Sequence, residues 1–385
     1  MKTKPATIPA WANAVSDSLQ SQTGITGRRI LHLPGSPEFL NSENDYFTAA
    51  ACEVQSAAVA RPTSTTEVSA LLKSLRRHLP PDTPIAVRGA GHATYGGTAK
   101  AEAGVTIDMR GLRGVDVLPD EKVVRIAAGE TWASVYTALE SRDKRLTTVG
   151  GRMPSVGVIG FLLGGGISSF SARFGFGADM VVTWEVVTAS GEVVRAGRND
   201  SETSDLWDAL RSGSTNFGIV TAVEIACFAH PEVFRGTNVF YLPIARQATL
   251  KALVEKNKES WRQRMDLDKT ITVKLDLTLL NAIVDLWYTS VESMHSVSGL
   301  MHTLVFQPLS VGMLNASCGT TPMSLPPTTT TFQGLNPSDG PLVVVELCMT
   351  WQAARDPDFV FTTGIKFLED TVALAQQMGL AHPFM

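Results

Sequence analysis

Cysteine is scarce in this sequence. The four residues Cys52, Cys227, Cys318 and Cys348 are scattered without CxxC or paired spacing. That pattern argues against a zinc site and against a disulfide scaffold, no other metal site is expected, and the thiols are read as buried. Charge is also sparse, at 18% of residues with a net of −4, and no Lys/Arg tract stands out. There is therefore no electrostatic footprint for nucleic acid or for an anionic membrane, and a small molecule is the expected partner. No run of about 18 apolar residues occurs, as a membrane-spanning helix needs, and the N-terminus lacks the apolar stretch of a signal peptide. The chain reads as unsecreted and cytoplasmic. Two nucleotide motifs are missing as well. There is no GxxxxGK[ST] loop, and no GxGxxG opens a helix inside a βαβ unit.

What is abundant is glycine, at 32 residues, within an ordinary apolar content of 44%. At 385 residues the chain is too long for one core, and roughly two or three domains are expected. Ser64 followed by Glu67 makes a capping-box signature, and Val68, Leu71, Leu72, Leu75 and Leu79 continue it at helical spacing until Pro80 and Pro81 stop it. A short strand at 85–87 runs into Arg88, Gly89, Ala90, Gly91, His92 and Ala93. Short β-rich runs at 105–107, 115–117 and 123–127 suggest one small mixed sheet. A helix through Trp132, Val135, Tyr136 and Leu139 leads to a strand at 147–149 and a second glycine segment, Gly150 to Gly166. A hairpin is expected over 181–196 with its turn at Ser190 and Gly191. A short helix then precedes a third loop, Ser212 to Gly218, and a strand over 219–228. From about residue 231 the texture changes, with helical patterns around 245–262 and an apolar strand at 342–349. The Pro/Thr run 322–331 reads as an exposed loop.

One glycine loop at a strand end usually means a tight turn. Three in one domain suggest a long ligand touched by backbone in several places, because glycine lets main-chain N–H groups approach phosphates and ring edges. A dinucleotide meets that demand. Gly89 and Gly91 do follow a strand, but the residues after them, with Tyr95, Gly96 and Gly97, cannot open a helix. A Rossmann site is thereby disfavoured.

Four ordered segments carry a family resemblance: Arg88–His92 (RGAGH), Gly104–Met109 (GVTIDM), Gly150–Gly166 (GGRMPSVGVIGFLLGGG) and Asp205–Thr221 (DLWDALRSGSTNFGIVT). In order and spacing they resemble the berberine-bridge-enzyme-like members of the vanillyl-alcohol-oxidase, or p-cresol methylhydroxylase (PCMH), type of FAD enzyme, and most of all fungal members from secondary-metabolite pathways. The resemblance implies an α+β fold, with a PCMH-type FAD-binding domain of two subdomains followed by an α/β substrate domain built on an antiparallel sheet. It implies FAD, linked covalently through His92. The family's second attachment cysteine is replaced by Met153, before Pro154, so any tether is single. Cofactor contacts are implied for Arg88, Gly89, Ala90, Gly91, His92, Ala93, Gly150, Gly151, Ser155, Val156, Gly157, Gly160, Ile219 and Val220. Val156 matches the position beside the oxygen-reactive flavin carbon. Ala90 stands where glycine is usual, and Ser212, Ser214 and Thr215 interrupt a glycine run before Asn216.

The expected reaction is removal of hydride from a C–H next to O or N of a small molecule, with O₂ as acceptor. No catalytic base can be named from the sequence, and Tyr95 is a candidate only by its place in the loop. A non-redox cyclase, or an inactive short relative on the same scaffold, is the alternative. The expected division is an N-terminal segment 1–45, the FAD domain 46–230, the substrate domain 231–365, and 366–385 as the start of a return to the FAD domain. Because the family's returning segment would begin where these residues stop, weak oxidase activity is the expectation for this form.

Overall fold

The computed structural model describes residues 9–229 and 264–383, apart from 120–121, 144, 298, 321–327 and 353–356. Three sheets organise it. The first joins β1 (Leu31–His32), β2 (Ala58–Ala60), β3 (Ile85–Arg88) and β4 (Val105–Asp108) in the order β1-β2-β4-β3, with β4 parallel to both β2 and β3. Its crossover helix Thr65–His78 begins where the sequence signals it. The Ser64 hydroxyl accepts from the Glu67 N–H at 3.2 Å, while the Glu67 carboxylate accepts from the Thr63 N–H at 2.7 Å. The box therefore closes one residue earlier than the pattern implies. Val68, Leu71 and Leu75 are fully buried along its inner face, as a 3.6-residue period requires.

The second sheet is antiparallel: β5 (Val115–Val117), β6 (Val123–Ala127), β10 (Ile219–Ala229), β8 (Val181–Val187) and β9 (Val193–Gly197) in that order, with β7 (Leu146–Thr148) on the far part of β10. The runs at 105–127 thus do not form one small mixed sheet. Val105–Asp108 belongs to the parallel sheet, and the other two join β10 across about a hundred residues of sequence. A long-range partner of that kind leaves no local pattern. The hairpin β8–β9 turns at Gly191, whose φ of 80° suits glycine. One apolar core, including Trp132, Trp184 and Trp207, spans both sheets.

The third sheet is β11 (Arg264–Lys274), β13 (Leu342–Gln352) and β12 (Met301–Leu309), antiparallel with β13 central. On β13 the residues alternate. Val343, Val345, Leu347, Met349 and Trp351 are buried, packed with Ile283 of the helix Leu277–Glu292 and with Val360 and Phe367 of the helix Pro357–Gln377. Glu346, Cys348 and Thr350 face the other way. After the last helix, Ala381 bridges Val273, and buried His382 meets the Asp339 carboxylate at 3.2 Å, so residues 380–382 lie on this sheet. The helical patterns at 245–262 and most of the Pro/Thr run lie outside the described residues. All four cysteines are free thiols, two buried and two half-buried, one of the latter being Cys348. Among the described residues no helix is long and apolar enough to cross a membrane.

Candidate cofactor and active site

The first glycine loop leaves β3 at Arg88. That side chain has no exposed surface. Its Nη1 donates to the Ser42 carbonyl at 2.6 Å, its Nη2 donates to the Asp45 carbonyl, and its guanidinium lies 4.0 Å from the centre of the Tyr46 ring. Asp108, at the end of neighbouring β4, stands 3.7 Å away. Burial alone would raise the Asp108 pKa, but hydrogen bonds and charge from Arg110, the Arg88 charge and the Ser42 hydroxyl together hold it below the usual carboxylate range. This network lies directly beneath the loop. A side chain at Gly91, whose φ is 79°, would come within 3.1 Å of the Arg88 guanidinium.

The second loop is shaped by tryptophan. Methyl groups added at Gly150 and Gly151 would stand 2.4 and 2.6 Å from the Trp132 ring, so the chain can pass over that ring only as glycine. The Tyr136 hydroxyl donates to the Gly151 carbonyl at 3.0 Å. Farther on, a methyl at Gly157 would stand 3.0 Å from the Ala90 backbone nitrogen, so the first two loops touch backbone to backbone. The third loop contains Ser212 at φ 78° and Ser214 at φ 58°. These are left-handed conformations that favour glycine.

The loops converge on one cavity of about 800 Å³, within the size range of small-molecule and cofactor sites, about 300–1,000 Å³. One side is formed by Gly89 to Thr94, Val156, Gly157, Ile159, Gly160, Ser214, Thr215, Gly218, Ile219 and Val220. The facing side is the cavity face of the third sheet: Met301, Thr303, Glu346, Cys348 and Thr350. Among the described residues of this wall there is no Lys or Arg side chain, and Glu346 is the one carboxylate. Cys348 Sγ lies 3.5 Å from the Glu346 carboxylate. Phe47 stacks on the His92 ring, centroids 4.5 Å apart and planes at 20°, and His92 Nε2 is 2.9 Å from the Ser155 hydroxyl. Burial lowers the His92 pKa, which favours the neutral imidazole.

Of the residues singled out from sequence, Gly89, Ala90, Gly91, His92, Ala93, Val156, Gly157, Gly160, Ile219 and Val220 lie together on the cavity wall. Ser155 lies behind His92, bonded to it. Gly150 and Gly151 pack on Trp132, and Arg88 lies under the loop. Tyr95 stands outside the wall, 41% exposed, with the Lys269 ammonium 4.9 Å from its ring centre. Among the residues that sequence reasoning missed are Phe47, Thr98 and the five on the sheet. Phe47 sits in an irregular stretch with no periodic signal. Glu346 did leave one, as a lone charge within the apolar run 342–349.

The wall suits a long, flat ligand with phosphates near its middle. Glycines without room for a side chain bring main-chain groups close, the Ser214 and Thr215 hydroxyls can donate, and the remaining surface is apolar enough for ring systems. Comparison with known proteins agrees. Residues 56–197 match the family model described as FAD binding domain. The chain is 31% identical over 247 residues to the FAD-dependent monooxygenase CTB5 of Cercospora beticola, covering 63% of this chain and 46% of that protein. It thus spans about half the length of the curated relatives it matches. A chitooligosaccharide oxidase structure superposes with a TM-score of 0.64 at 19% identity, covering 94% of this chain and 87% of that one. A berberine bridge enzyme structure superposes at 0.51 and 15% identity, covering 97% and 60%.

Proposed function

We infer, from an FAD-binding domain at residues 56–197 on the fold of the berberine-bridge-enzyme and vanillyl-alcohol-oxidase type of flavoprotein, that this chain is an FAD-dependent oxidoreductase acting on a small molecule in the cavity between the glycine loops and the third sheet. The reading extends to an oxidase that takes hydride from a substrate C–H next to O or N, in fungal secondary metabolism, and passes the electrons to O₂. One observation carries it. A glycine-rich wall faces a sheet that sets Glu346, the one carboxylate among the wall's described residues, across a cavity of about 800 Å³.

FAD, when bound, accepts the hydride and delivers the electrons to oxygen. The chain's own residues do the rest. The backbone of Gly89–Ala93, with Gly157, Gly160, Ser214 and Thr215, would hold the pyrophosphate and ribityl parts, and the backbone of Ile219 and Val220 would meet the adenine. His92 would be the point of covalent attachment. Its neutral ring, fixed by Phe47 stacking and by the Ser155 hydroxyl, has the character a nucleophile needs. Val156, half-buried on the same wall, would leave room for oxygen.

Glu346 is our candidate for the proton acceptor. It projects from the rigid central strand β13, whose reverse face is locked in the core by Val345 and Leu347. A carboxylate placed there can take the proton from a substrate hydroxyl or ammonium as the C–H bond breaks. Among the described residues of the wall there is no cation to receive a substrate carboxylate. The sheet is also the chain's most direct link from sequence to chemistry, because its strict alternation sends Glu346, Cys348 and Thr350 to one side.

The test is anaerobic mixing of flavin-loaded protein with panels of alcohols, amines and carboxylic acids. Loss of the flavin's visible absorbance with members of the first two panels, and its recovery on admitting air, is expected. Flavin that no panel member bleaches, in folded protein, would favour a non-redox role for the scaffold.

A further inference from the structure

A second cavity, of about 500 Å³, shares no residue with the first. Five arginines line it: Arg28, Arg29, Arg61, Arg110 and Arg113. Three of them are fixed from behind by buried carboxylates. Arg29 pairs with Glu67, Arg113 with Glu130 at 3.0 Å, and Arg110 with Asp108 at 2.6 Å, and those carboxylates are at most 5% exposed. Held this way, a guanidinium keeps its place and loses little further freedom when it meets a ligand. Arg28 and Arg61 have no carboxylate partner among the described residues, and the one carboxylate on the wall, Glu38, is 51% exposed and 3.9 Å from His32. The charge left to meet a ligand is that of Arg28 and Arg61, and two like charges at one opening favour the entry of an anion. Rigid guanidinium forks also match phosphate oxygens in pairs.

We propose that this cavity binds a compact multivalent anion, the phosphate or diphosphate group of a small molecule, at a site separate from the dinucleotide cavity. The donors come from elements of the first sheet and its flanks: the 3₁₀ turn Gly27–Arg29, the residue after β2, and the segment after β4. Preformed rather than induced, the site should need no rearrangement to fill.

The test is calorimetric titration of inorganic pyrophosphate into the FAD-loaded chain at constant ionic strength. One saturable site is expected, with affinity at least about tenfold weaker in the double variant Arg28→Gln/Arg61→Gln, since two charge-assisted contacts are lost. Glu38→Gln should instead strengthen binding, so a gain remains measurable even where the double variant folds poorly. FAD content serves as the check on folding. Absence of a saturable site, an unchanged affinity in a well-folded double variant, or binding confined to FAD-free protein would each overturn the proposal, the last by placing pyrophosphate in the dinucleotide cavity.

Discussion

Replacing Arg88 by methionine should cost about 2–4 kcal/mol of stability, with the loss falling on the first glycine loop. Methionine keeps the unbranched apolar stem, so the cavity left behind is small. What disappears are the charge-assisted bonds to the Ser42 carbonyl, at 2.6 Å, and to the Asp45 carbonyl, and the packing of the guanidinium on Tyr46. Each buried acceptor left without its donor costs about 1–3 kcal/mol. The full penalty for stranding a buried charge, about 3–5 kcal/mol, should not be reached. Asp108 keeps Arg110, which donates Nε at 2.9 Å and Nη2 at 2.6 Å, while removal of a costly buried guanidinium refunds part of the loss. Urea unfolding of wild type and variant measures the difference, and a high-salt repeat should change it little because a fully buried group is screened weakly. Since Gly91 lies against that guanidinium, FAD affinity should fall along with stability. A loss under about 1 kcal/mol at unchanged m-value would refute the anchoring role.

Five further outcomes are expected. Glu346→Gln, which keeps shape but cannot take a proton, should slow anaerobic flavin reduction by about 10² to 10⁴ at normal FAD content; an unchanged rate in stopped flow would remove Glu346 as the base. His92→Ala should leave flavin that acid precipitation releases, whereas the unaltered protein keeps it. Because burial lowers the His92 pKa, covalent loading should persist as pH falls through about 6.5, the ordinary histidine value, and decline only in more acid medium; a decline centred on the ordinary value would contradict that. Val156→Ile should slow reoxidation by O₂ more than reduction, and equal effects on the two half-reactions would place Val156 away from the reacting carbon. Ser214→Gly should raise stability by about 0.5–1 kcal/mol, because relief of left-handed strain, about 1–2 kcal/mol, outweighs the added chain entropy of glycine, about 0.5–1 kcal/mol; no side-chain hydrogen bond of Ser214 is at stake among those described, and destabilisation on thermal melting would show the argument to be wrong.

The parts of this fold legible in the sequence are those whose cause is local. Ser64 and the 3.6-residue pattern after it specify a helix by themselves, and Gly191 marks its hairpin because the turn needs a positive φ. The division of 105–127 between two sheets was not legible, since β6 pairs with β10 at Ala127↔Ala222 through Val123↔Ala226, and nothing near residue 125 encodes that partner. The site shows the same split. The loop glycines could be read because backbone approach and steric exclusion are properties of glycine itself. Arg88 was read as part of the binding loop, yet its side chain points into the support beneath, which only the position of Ser42, Asp45 and Tyr46 reveals.

Two serines make the relation between sequence and site most concrete. Ser212 and Ser214 interrupt a glycine run that the family resemblance leads one to expect, and together with Asp82 and Ala103 they are the residues other than glycine with positive φ among those described. The loop therefore keeps the backbone shape that glycine would give, although its residues resist it by about 1–2 kcal/mol each. Such strain persists only where surrounding structure over-determines the conformation. Here the constraint is visible: the Ser214 N–H donates to the Leu163 carbonyl at 3.2 Å, tying the third loop to the end of the second, while Gly218, at φ 139°, packs against Val186 and Val187 and leads directly into β10. A loop held at both ends against its own preference places Ser214 and Thr215 on the cavity wall with hydroxyls that glycine could not supply. On a wall whose described residues include no Lys or Arg, two hydroxyl donors are what a phosphate would gain from the exchange.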